Sequence, residues 1–154
     1  MPPRKKIFGD FLYQGTNTLF FSHTNYGKSI LAFQIAVNAA TGNSFEAAQC
    51  FKNECGPMKV LYFDFEMDDQ RLFQRHKQIF SYYSKKVLTQ NLIIAHVDTT
   101  KHAIFGSKLL AKIEGEIDKH KPELIILDNL TKILPDSLNP TEVNKIIDSM
   151  SRIT

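Results

Sequence analysis

The chain contains no tryptophan, and its cysteines are Cys50 and Cys55 only. No second pair of cysteines or histidines answers these two at metal-ligand spacing, and the five histidines are scattered. A zinc module is therefore not expected. Both cysteines are expected to be free thiols of a cytoplasmic protein. No apolar run approaches the roughly 18 residues that a membrane helix needs. The basic start Arg4-Lys5-Lys6 is followed by no apolar stretch of signal-peptide type, and reads as a solvated tail. Net charge is only +3, too little to argue nucleic-acid binding by itself. Repeats and low-complexity segments are absent as well.

What remains is a globular composition, 43% hydrophobic and 23% charged, with 12 phenylalanines. At 154 residues the chain fits one domain. It can bury roughly two-thirds of its unfolded surface and needs no staples.

The chain is organised around Ser22-His23-Thr24-Asn25-Tyr26-Gly27-Lys28-Ser29. The apolar run Thr18-Leu19-Phe20-Phe21 precedes it. A run of helix formers, Ile30 to Ala40, follows. Strand, tight loop and helix are the context of a phosphate-binding P-loop. Such a loop turns its backbone N–H groups to the phosphates, and the helix N-terminus adds its positive end. The binding stretch is expected to be Ser22, His23, Thr24, Asn25, Tyr26, Gly27, Lys28, Ser29 and Ile30. Lys28 would reach the β- and γ-phosphates of ATP, and Ser29 would place its hydroxyl on Mg²⁺. Gly27 lets the backbone approach without a Cβ. The usual pattern G-x-x-x-x-G-K-[ST] has one departure here, Ser22 in place of the first glycine.

Residues 1–17 read as a lead-in whose Phe8, Phe11, Leu12 and Tyr13 pack on the domain. Residues 18–154 read as the domain itself. Strand one is expected over Thr18–Phe21, and a buried helix over Lys28–Thr41, closed by Gly42. Val60–Phe65 reads as a strand buried on both faces. Asp68 or Asp69 then caps a helix bearing Leu72, Phe73, Ile79, Phe80 and Tyr83. Leu92–Val97 is the third strand. Leu109, Leu110, Ile113 and Ile117 mark a helix ended by Pro122, and Leu124–Leu127 is the fourth strand. Val143, Ile146, Ile147 and Met150 recur at helical spacing. This alternation predicts an α/β fold, a mostly parallel sheet between two helix layers, with ligands at the C-terminal strand edge.

Acidic partners follow. Asp128 ends an apolar strand and is the candidate second anchor for Mg²⁺. Glu66 ends the second strand and is the candidate catalytic base toward water, with Asp64 its competitor. Arg71 and Arg75 read as exposed helix arginines.

With these residues placed, the chain resembles the RecA-like P-loop ATPases, in the branch of RepA-type plasmid and phage replicative helicases. Three pieces carry the resemblance: Leu19–Ala32, Val60–Met67 and Leu124–Thr131. The resemblance implies Glu66 as the catalytic carboxylate, since Asn129 rather than Glu follows Asp128. It also implies a strand order 3-2-4-gap-1, with the gap filled by a later strand that the chain lacks or by a partner chain. The domain is accordingly expected to be truncated after the Walker B strand and its following helix. Single-stranded DNA as substrate and a homo-oligomeric, hexameric ring are further implications. A KaiC-like regulatory ATPase, an assembly module without turnover, and a small-molecule kinase remain alternatives on this fold.

Overall fold

The computed structural model describes residues 4–23, 26–44, 52–65, 90–97 and 107–129, together with Gln70, Arg71, Gln74, Lys77, Ser81 and Asp148. Its elements run β1 (Lys6–Phe8), β2 (Leu12–Tyr13), α1 (Lys28–Thr41), β3 (Val60–Asp64), β4 (Leu92–His96), α2 (Ser107–His120) and β5 (Leu124–Asp128).

β3, β4 and β5 form a parallel sheet in the order β4-β3-β5. The central strand is Val60-Leu61-Tyr62-Phe63-Asp64, and all five residues are buried. A strand flanked on both edges and covered on both faces has no position for a solvated side chain, which explains the unbroken apolar run. The register sets Val60 against Leu92 and Leu124, and Asp64 against His96 and Asp128. One face carries Val60, Tyr62, Ile94, Leu124 and Ile126 and packs on α1. The other carries Leu61, Phe63, Ile93, Ala95, Ile125 and Leu127 and packs on Leu109, Ile113 and Ile117 of α2. Those three α2 residues recur every fourth position, so they share one stripe. The result is the expected α/β sandwich of helix, parallel sheet and helix.

α1 is buried all round from Ile35 to Ala40. Its second face meets the β1–β2 hairpin, whose Ile7, Phe8 and Leu12 join the same core. Packing is thus the work of Ile7, Phe8 and Leu12, with the half-buried Phe11 against them. Three carbonyls at the C-terminal end of α1 are engaged. The Asn38 carbonyl accepts from Asn53 Nδ2 at 3.2 Å, Ala39 from the Met58 N–H at 3.0 Å, and Ala40 from Asn91 Nδ2 at 3.0 Å. These are carbonyls that a helix cannot satisfy internally. Gly42 closes the helix in the left-handed region at φ 77°.

One expected element is not there. Thr18–Phe21 forms no strand. Leu19 and Phe21 are 67% and 87% exposed, and Phe20 stacks edge-on against Phe11 at 5.4 Å. The Thr18 hydroxyl donates to the Phe11 carbonyl at 2.9 Å, so the segment follows the hairpin. The physical reason is ladder pairing: a strand needs a neighbour for its N–H and C=O groups. Among the described residues, none runs beside Thr18–Phe21 or along the second edge of β5. The order 3-2-4 of the expected sheet is therefore present, without its first strand.

The helix expected after Asp68 and the helix expected over Val143–Met150 lie largely outside the described residues. Gln70, Arg71, Gln74 and Lys77 are helical and exposed, which suits the outer face of the former.

Candidate functional site

The sheet's C-terminal edge and the start of α1 meet at two residues. Asp128 is the last residue of β5 and Ser29 lies in the first turn of α1. The Ser29 hydroxyl donates to Asp128 Oδ1 at 2.9 Å. The Tyr62 phenol donates to Asp128 Oδ2 at 2.6 Å. Both carboxylate oxygens are thus held, and Asp128 is only 6% exposed. An ionised carboxylate at this depth needs such partners. The backbone locks the same corner: the Phe65 N–H donates to the Asp128 carbonyl at 2.8 Å, and the Val97 N–H to the Asp64 carbonyl at 3.0 Å.

Ahead of Ser29 comes the loop. Gly27 sits at φ 76° and ψ 18°, left-handed, where an L side chain is strained. An added Cβ would meet no atom within 4 Å, so the backbone there faces open space. Lys28 folds back over the loop. Its Nζ donates to the carbonyls of Ser22 and His23, each at 2.8 Å, with Ser22 Oγ at 3.4 Å. The ammonium therefore ties the loop's beginning to its end. Ser22 needs no glycine: among the described non-glycine residues, a positive φ occurs at Lys121 alone. That explains why serine is accepted where the usual motif has glycine.

The two ends of α1 differ in kind. The carbonyls of Asn38, Ala39 and Ala40 are satisfied by Asn53, Met58 and Asn91, as described above. The N-terminus has no side-chain cap and no acidic residue in its first turn. An end of this type favours an anion.

The AAA domain family model matches residues 1–154. The chain belongs to the AAA domain family. No curated protein matches it as a relative. Membership gives this AAA domain a nucleotide-binding, ATPase-type function.

Of the expected site residues, Ser22, His23, Tyr26, Gly27, Lys28, Ser29 and Ile30 are described, and they surround the start of α1. Lys28, Ser29 and Asp128 are brought together with Ser22 as detailed above. Tyr26 is 77% and Ile30 49% exposed, and the His23 and Tyr26 rings lie 6.1 Å apart. Thr24, Asn25 and Glu66 lie outside the described residues. Asp64, the competitor of Glu66, is 2% exposed and in register with Asp128.

Mg²⁺ suits what is present. Ser29 Oγ and Asp128 Oδ1 are hard oxygen donors in direct contact. Among the described residues, no group of three or more His, Cys, Asp or Glu side chains could hold a metal ion. A cation here would thus share its coordination with the oxygens of a nucleotide, as Mg²⁺ commonly does.

Two polar residues escaped the sequence reading. Tyr62 lies within an apolar run. The signal that finds it is its position two residues before Asp64, on the face that Asp128 shares once the strands are in register. His96 is the penultimate residue of the expected strand Leu92–Val97. Its Nδ1 is buried without a hydrogen-bond partner among the described residues, at the same sheet edge.

Proposed function

We propose that this AAA domain binds Mg²⁺-ATP on the Ser22–Ile30 loop and hydrolyses it, as the motor core of a replicative helicase acting on single-stranded DNA. The observation that carries the nucleotide part is the contact between Ser29 and Asp128, 2.9 Å long, at the mouth of a helix with no cap of its own.

The loop amides and the first amides of α1 bind the phosphates. The Lys28 ammonium, now shared by two loop carbonyls, exchanges one of them for a phosphate oxygen and offsets the charge that builds on the β–γ bridge. Ser29 and Asp128 would hold Mg²⁺, which when bound neutralises phosphate charge. Glu66 follows Phe65 directly in the sequence, and the Phe65 N–H donates to the Asp128 carbonyl, which supports Glu66 as the base of this proposal. Its carboxylate takes a proton from water as the water oxygen bonds to the γ-phosphorus and the bond to the ADP oxygen breaks.

The helicase reading draws support from the resemblance of Leu19–Ala32, Val60–Met67 and Leu124–Thr131 to RepA-type enzymes. A hexameric ring and a cytoplasmic location belong to the same proposal. Among the described residues, no helix is long and apolar enough to cross a membrane.

The test is calorimetric titration of Mg²⁺-ATP into the chain and into Lys28→Ala. Wild type binds, and the variant loses about tenfold or more, about 1.4 kcal/mol. Equal affinity in the two proteins removes the loop from the site. ATP turnover that single-stranded DNA leaves unchanged turns the reading toward a regulatory ATPase.

A further inference from the structure

Tyr62 carries one chemical group that its packing does not require. Its ring is 1% exposed and meets the Phe33 ring edge-on, with centroids 5.4 Å apart at 89°. A phenylalanine would fill the same space and make the same ring contact. The hydroxyl is the one thing tyrosine adds. It donates to Asp128 Oδ2 at 2.6 Å, the short distance of a charge-assisted bond. The ring is held by the core and by Phe33, so the hydroxyl is fixed in direction.

This bond divides the carboxylate. Oδ2 is occupied by a buried donor. Oδ1 faces Ser29. Ser29 can turn its hydroxyl away and join a cation at Oδ1, whereas the phenol is fixed on Oδ2, spends a lone pair there and leaves Oδ2 the weaker donor toward a cation. Divalent cations differ in how they treat such a group. Ca²⁺ is larger, takes more ligands and readily accepts both oxygens of a carboxylate. Mg²⁺ demands a small octahedral shell and is bound through a few well-placed oxygens. A carboxylate with one oxygen weakened as a donor suits the second need better than the first.

We propose that the Tyr62 hydroxyl restricts Asp128 to single-oxygen contact and thereby selects Mg²⁺ over Ca²⁺ at the nucleotide site, an inference that rests on the Mg²⁺-ATP reading above. Tyr62 is a positioning residue: it acts through Asp128 and touches no substrate.

The experiment measures the affinity of a fluorescent ATP analogue for wild type and Tyr62→Phe in Mg²⁺, in Ca²⁺ and in EDTA. Circular dichroism confirms the fold of each. In wild type, Mg²⁺ supports binding better than Ca²⁺. In Tyr62→Phe the ratio of the two affinities falls by about tenfold or more, about 1.4 kcal/mol, while the affinity in EDTA is unchanged. A purely structural hydroxyl would lower all three affinities together or none. In an Asp128→Asn background, adding Tyr62→Phe leaves the ratio where it is, since the two changes act through one group. If Tyr62→Phe does not fold, Phe33→Leu keeps the phenol and loosens its ring, and the ratio falls by a smaller factor. An unchanged ratio in a folded variant overturns the role of Tyr62 and leaves the nucleotide site standing. Failure of wild type to bind the analogue in any of the three solutions overturns both.

Discussion

Gly27 and Gly42 bracket α1 with nearly the same backbone, φ 76° and 77°, and substituting each by alanine separates strain from collision. The left-handed conformation costs an alanine about 1–2 kcal/mol at either site. Loss of glycine's freedom in the unfolded chain offsets part of that, by about 0.4–1 kcal/mol, equally in both variants. The surroundings then decide. At Gly27 an added Cβ has nothing within 4 Å. At Gly42 it would lie 2.7 Å from Pro57 Cδ, 2.8 Å from Cγ and 2.8 Å from the Pro57 nitrogen. A proline ring cannot rotate away, so backbone must move, at about 1–3 kcal/mol for overpacking of this kind. Gly42→Ala should therefore be the less stable of the two by about 1–3 kcal/mol. For a chain of this size that is a gap of about 3–10 °C in Tm. Urea denaturation of both variants without nucleotide measures it. Nucleotide titration should show the reverse order if the proposed phosphate loop holds: Gly27→Ala loses binding, because its new methyl group enters the open space beside the loop backbone, and Gly42→Ala keeps it when folded. Equal midpoints for the two variants would refute the steric reasoning.

Asn53→Ala removes acceptor bonds to the N–H groups of Cys55 and Gly56, each 2.9 Å, and the donor bond to the Asn38 carbonyl. A loss of about 2 kcal/mol is expected at an unchanged denaturant m-value; an altered m-value would mean that the segment's role lies in the unfolded state. Lys6 has its pKa raised by its hydrogen bond and charge pairing with Asp10. A raised lysine pKa means that the pair's contribution is complete below the unfolded value and is lost as pH climbs through the folded one. Stability of Lys6→Met should thus approach that of wild type on the alkaline side, with any difference confined to lower pH; a difference that widens with rising pH contradicts the assignment.

The elements most legible in the sequence were those whose neighbours share one rule. The bounds of α1 follow from a Gly on each side, and β3 from a run that only a doubly covered strand can carry. Ser29 and Asp128 were legible as partners because loop chemistry and strand-end position point to the same cation. Thr18–Phe21 misled, since aromatic and β-branched residues announce strand propensity but not a pairing neighbour. Tyr62 was hidden for the opposite reason. Its hydroxyl acquires meaning only when β3 and β5 are known to be adjacent and in register. Ser22 looked like a defect because the motif is written in residue names, whereas the backbone asks only for an ordinary φ at that point.

The bonds that define the site also span long stretches of chain. Ser29 and Asp128 are 99 positions apart, and Tyr62 and Asp128 are 66 apart. Closing loops of that length has an entropic cost that local structure cannot recover. The carboxylate, the hydroxyl and the phenol come together only where α1 is docked on a sheet that joins β3 to β5. No partly folded form with β5 undocked holds the site. Nucleotide binding is then a report on completed folding. A ligand at a hundred times its Kd would add about 2.7 kcal/mol to the stability of that finished state alone.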